Sequence, residues 1–121
     1  MVLVTANLPR QIVLIIFIGH VRASELIKSQ DELATFLTQM PSGFTLLTDL
    51  TPLDQLDKDC LDHIARSMDL CAERGVGLIV RVIPEASKDI GLSILSIFHY
   101  PHRPRMVTCK TMLEAAHALG L

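Results

Sequence analysis

Apolar positions along this chain fall into short β-type runs and longer helical spacings, most of them closed by glycine or proline. Val2–Thr5 and Gln11–Ile18 read as two strands of a hairpin, joined through Ala6 to Arg10. The second is apolar on both faces, as central strands are, and Gly19 ends it. Ser29 and Glu32 then form a capping-box pattern, with Leu33, Phe36, Leu37 and Met40 at helical spacing behind it. A helical turn can begin earlier, from Ser24. Pro41, Ser42 and Gly43 stop the helix.

A third strand covers 44–50. A helix follows from about Asp57 to Arg74, with Leu61, Ile64, Ala65, Met68, Cys71 and Ala72 on its apolar face and Gly75 at its C-cap. Strand Gly77–Ile83 ends at Pro84, and 87–98 reads as a further helix. Tyr100 to Pro104 makes a connecting loop to a short strand, 106–109. The last helix, 111–119, opens on Thr111 and Glu114, a second capping-box pattern. Alternating strands and helices in this order predict a single α/β domain over 1–121, built on a mostly parallel or mixed sheet of four to five strands with flanking helices.

Composition narrows the function more than the fold. At 121 residues with half of them apolar, the chain can bury roughly two thirds of its unfolded surface. A net charge of −2 leaves no basic face for nucleic acid, and the absence of tryptophan argues against base- or sugar-stacking platforms. Cys60, Cys71 and Cys109 are odd in number and read as free thiols of a reducing compartment. The run Ile12 to Ile18 is too short to span a bilayer and lacks the flanks of a signal peptide. These features together predict a cytoplasmic protein.

The densest chemistry lies where the third strand passes into the long helix. Asp49, Asp54, Asp57, Asp59 and Asp62 stand there against Lys58 alone. A strand end leading to a helix start is where α/β folds commonly place working residues. Carboxylates at a helix N-terminus also have a plain structural use, as caps favoured by the helix dipole.

Cys60 and His63, one turn apart, could form a thiol–imidazole pair, but the surrounding aspartates disfavour the thiolate such a nucleophile needs. Two pairs, Cys60 with His63 and His99 with His102, could offer zinc ligands; nothing in the sequence brings them together. His99, His102, Arg103 and Arg105 form one basic patch. No phosphate loop, dinucleotide fingerprint, nucleophile elbow or zinc-protease motif is present. We therefore expect no catalytic residue, no metal and no cofactor.

The element order, the length and the motif after the third strand resemble the STAS domain, the sulfate transporter and anti-sigma factor antagonist family, with its SpoIIAA-like fold. Asp49-Leu50 matches the Asp-Leu that ends the family's apolar strand, and Asp57-Lys58-Asp59-Cys60 occupies the place of its Asp-Ser-Ser-Gly. Glu73-Arg74-Gly75 before strand 78–82 is similar to its Arg-Gly turn. The run from Val107 to Ala116 is similar to its closing strand and helix.

The resemblance implies a non-catalytic regulator whose partner-binding residues are Asp49, Asp54, Asp57, Lys58, Asp59 and Asp62. The implied partner is a kinase-like anti-sigma factor or another regulatory protein. In antagonist members the second serine of the motif is phosphorylated by the partner, which abolishes binding. Asp59 stands at that position here, carrying permanent charge, while Thr48, Thr51 or Ser67 could carry a different modification. The related alternative is a small-ligand domain, with an apolar or anionic compound held between the sheet and Ile90, Ile94 and Phe98. An N-terminal strand at a sheet edge could also support a homodimer.

Overall fold

The computed structural model describes residues 1–83 and 105–121; the expected helix 87–98, with Ile90, Ile94 and Phe98, and the loop 100–104 lie outside the described residues. The elements are β1 (Val2–Asn7), β2 (Ile12–Phe17), β3 (Gly19–Val21), α1 (Ala23–Leu37), β4 (Thr45–Asp49), β5 (Leu53–Leu56), α2 (Cys60–Glu73), β6 (Leu78–Val82), β7 (Arg105–Cys109) and α3 (Met112–Ala118). Five strands form one sheet in the order β1-β2-β4-β6-β7, and β3 pairs with β5 in a separate two-stranded sheet. Among the described residues, only the β1–β2 pairing of the large sheet is antiparallel; the other three are parallel. This is the mixed α/β architecture that the pattern predicts.

The hairpin closes where Gln11, at φ 57°, donates its N–H to Leu8 O at 3.1 Å. Asn7 Oδ1 accepts from Arg10 N at 3.1 Å on the same turn. Behind the hairpin, β2 alternates half-buried with buried residues, so that Val13, Ile15 and Phe17 face inward. They meet Leu26, Leu33 and Leu37 of α1 and Ile64, Met68 and Cys71 of α2 in the main core, together with Leu46 and Ile79. The opposite sheet face packs Leu47, Val80, Val82 and Cys109 against Ala115 of α3. Strands β4 and β6 are thus covered on both faces, which is why 44–50 and 77–83 read as nearly unbroken apolar runs. Each fully buried leucine, isoleucine or phenylalanine contributes about 1.5–3 kcal/mol of transfer free energy.

Three boundaries differ from the sequence reading. α1 begins at Ala23, next to the earlier start at Ser24 and ahead of the Ser29 capping pattern, because its apolar face extends back to Leu26. Glu25 accepts the Arg22 N–H at 3.2 Å, so the acid that caps this helix lies earlier than Glu32. Ser29 is buried in mid-helix and donates to Leu26 O at 2.8 Å. The second helix starts at Cys60 after a turn over Lys58 and Asp59, three residues later than Asp57. The connection after β4 holds strand β5, and Gly19 opens β3 instead of ending the strand region. Both are short, and β5 is polar on its outer face, so no hydrophobic period announces them.

The start of α3 and the end of α2 match expectation. Thr111 caps α3, its Oγ1 accepting the Glu114 N–H at 3.2 Å, while Glu114 Oε2 accepts the Lys110 N–H at 2.9 Å. Gly75 closes α2 at φ 82°, a conformation that glycine adopts without penalty. Its carbonyl accepts the Gly43 N–H at 2.7 Å, and Gly77 lies so near that a Cβ there would stand 2.9 Å from Gly43 O. These glycines let the turns preceding β4 and β6 touch backbone to backbone.

Candidate functional site

Strand β4 ends at Asp49, which is buried and turned back on its own chain: its Oδ1 accepts the Thr51 N–H at 2.9 Å. The backbone bond from Leu50 N to Val82 O, at 3.0 Å, ties this corner to β6. Asp49 therefore builds the turn and is buried, unlike the other residues expected to bind a partner. The physical reason is local, since a short acidic side chain satisfies a backbone donor two residues on.

Pairing between β3 and β5 then positions the rest. Gly19 donates to Pro52 O at 2.8 Å, and Asp57 N donates to Val21 O at 3.1 Å. Asp57 Oδ1 lies 2.6 Å from His20 Nε2, in a half-exposed pair. The two residues are 37 apart in sequence, and only the parallel β3–β5 register brings them together. No sequence motif could have marked His20.

Asp54, Lys58, Asp59 and Asp62 are exposed along the segment from β5 into the first turn of α2. Asp59 takes the N-cap position at φ −72°, ψ −8°, yet its side chain makes no capping bond. The plain capping use for this aspartate is thus not realised, and its carboxylate faces outward. The helix start is held instead by backbone bonds from Cys60 N to Asp57 O at 3.0 Å and Leu61 N to Lys58 O at 3.3 Å.

Cys60 is buried, its Sγ donating to Val21 O at 3.4 Å. Burial, and then the charges of Asp59 and Asp57, push its thiol up to about 11. Burial and the raised pKa both oppose the thiolate that the nucleophile considered from sequence would need. His63 uses its carbonyl structurally, accepting Gln30 Nε2 at 3.0 Å and Ser67 Oγ at 3.1 Å. Among the described residues, no three histidine, cysteine, aspartate or glutamate side chains gather to hold a metal ion. Of the basic patch only Arg105 is described, exposed at the start of β7; His99, His102 and Arg103 lie outside the described residues.

The three hydroxyls named for modification separate cleanly. Thr48 is buried at 3 % exposure, Ser67 is half-buried and bonded within α2, and Thr51 is exposed. Arg81, hidden within the apolar run of β6, was missed as a structural polar residue; its Nε and Nη2 donate to Thr108 Oγ1 at 3.2 and 2.8 Å.

No family model and no curated protein sequence matches the chain. Solved structures do. The structure of the anti-sigma factor antagonist SpoIIAA in its unphosphorylated form is similar with a TM-score of 0.63 at 16% identity, covering 99% of this chain and 98% of the other. An anti-sigma factor antagonist from Mycobacterium paratuberculosis gives a TM-score of 0.59 at 17% identity, over 100% of this chain and 94% of that one. A chain in the crystal structure of the diguanylate cyclase SiaD in complex with its activator SiaC, from Pseudomonas aeruginosa, gives 0.60 at 14% identity, with 90% and 92% covered. The chain has the SpoIIAA-like fold. No helix of the described residues is long and apolar enough to cross a membrane.

Proposed function

We propose that this domain is a non-catalytic regulator that binds another protein through the exposed acidic segment from Asp54 to Asp62. One observation carries the reading: Asp54, Asp59 and Asp62 face solvent on a segment that the β3–β5 pair and the His20–Asp57 contact hold in place. Carboxylates presented on a rigid frame steer a basic partner and fix its orientation. The fold supports the same reading, since similar structures include two anti-sigma factor antagonists and a complex of an enzyme with its activator. The partner is a kinase-like anti-sigma factor or an equivalent regulator with a basic docking face.

In this reading Asp59 replaces the serine that antagonists use as a phosphorylation switch. A phosphate at a helix N-terminus brings close to two negative charges, and an aspartate brings about half of that permanently. Because phosphorylation of that serine abolishes binding in antagonists, a domain that binds through this face with Asp59 in place does not use that switch, and any remaining control by phosphorylation falls to Thr51. Strand β1, at the edge of the large sheet, is where a second copy would add if the domain dimerises.

Gentle purification from the protein's own cells, followed by native mass spectrometry, tests the reading first. A co-purifying polypeptide supports it; a bare chain or a small-molecule adduct counts against it. With the partner in hand, Asp59→Lys with Asp62→Lys should weaken binding at least tenfold and flatten its salt dependence. Both side chains are exposed, so the fold should survive. Unchanged affinity in the double variant would overturn the assignment of this face.

A further inference from the structure

The interior carries a polar feature that the partner face does not use. Thr48 Oγ1 is buried on β4 and, among the described residues, is the buried side-chain oxygen without a hydrogen-bond partner. It borders a cavity of about 20 Å³ between the sheet and helices α1 and α2, whose lining includes the hydroxyl-bearing residues Ser29 and Ser67. The remaining lining is apolar, with Leu46 and Met68 among it.

A buried hydroxyl left unpaired is costly, so native structures rarely leave one. We propose that this cavity is a binding site for one structural water. Its size suits a single molecule, since a water needs at least about 10–15 Å³ of such volume and two to four polar partners.

The donor and acceptor count closes. Ser29 already gives its O–H to Leu26 O at 2.8 Å, and Ser67 gives its own to His63 O at 3.1 Å. Each serine oxygen therefore keeps lone pairs and no free proton. Thr48 keeps its proton. The water accepts from Thr48 Oγ1 and donates to the oxygens of Ser29 and Ser67. It thereby joins β4, α1 and α2, three elements that share no other side-chain hydroxyl contact in this cavity. The strand held in this way is the one that ends in Asp49, and the helix is the one that starts beside Asp59.

A crystal structure of the full chain, at a resolution that shows ordered water, should place one peak at about 2.7–3.0 Å from Thr48 Oγ1 and within reach of a serine oxygen. Thermal unfolding of Thr48→Val gives an independent answer, because the two alternatives differ in sign. With a water bound, the valine removes one of its three partners, and Tm should fall by about 3–5 °C. With a dry cavity, the same change removes an orphaned hydroxyl and Tm should rise. An empty cavity in the crystal, or a stabilised valine variant, overturns the proposal.

Discussion

Asp49, Asp57 and Asp59 look alike in the sequence and do three different things. The first closes a turn, the second meets His20, and the third stands free of any cap. Cys60 is decided the same way, by its surroundings. Held under the β3 backbone, with its thiol raised to about 11, it should resist alkylation in the native state near neutral pH. Iodoacetamide labelling read by mass spectrometry should modify it at a rate set by unfolding, many-fold slower than a free cysteine peptide. Rapid labelling at pH 8 would mean that the α2 start opens readily. Residue type alone located the acidic cluster, but not which carboxylates are exposed, because that depends on backbone donors such as Thr51 N–H that no periodicity reveals.

Elements with a strong hydrophobic period were legible: both hairpin strands, β4, α2, β6, β7 and α3 all lie where spacing puts them, to within a few residues. What escaped was β3 with β5. Each is too short to show a period, and their pairing is a long-range event recorded nowhere in local composition. The cap of α1 was hidden for another reason, since Arg22 is not a capping residue by type and Glu25 does the capping from inside the helix. Glycines at element junctions were read as stops, and the structure adds why. Gly77→Ala would press a methyl group against Gly43 O, a backbone atom that cannot swing aside. The expected cost is about 1–3 kcal/mol in urea denaturation, the range for overpacking at a tight contact. A neutral substitution would show that the turns before β4 and β6 have room to part.

Taken as one body, the domain hides all three of its cysteines, and this makes its stability sensitive to alkali. Burial raises Cys60 to about 11 and Cys71 to about 12 from an ordinary 9.0, and Cys109 moves in the same direction. A raised folded-state value means that the native protein keeps its thiol protons while the unfolded chain releases them. The contribution is fully present below about pH 9 and declines as pH climbs through 11 toward 12. Tm should therefore fall between pH 8 and pH 10.5, and by less in a variant with all three cysteines changed to alanine. Equal slopes in the two proteins would assign the alkaline loss to other groups.

The strand order β1-β2-β4-β6-β7 has a kinetic meaning as well as a geometric one. Every strand of the large sheet lies beside the one that precedes it there in sequence, so no pairing waits for a segment made much later. On a ribosome the hairpin can close first, β4 can dock once α1 has emerged, and β6 and β7 can add in turn. Closing each loop early keeps its entropic cost small and shortens the time an apolar edge stands open. The segment from Asp54 to Asp62 forms midway through that sequence, with its partner strand β3 already made. Growth from one edge would give the nascent chain a recognisable acidic surface before its last strand has left the tunnel.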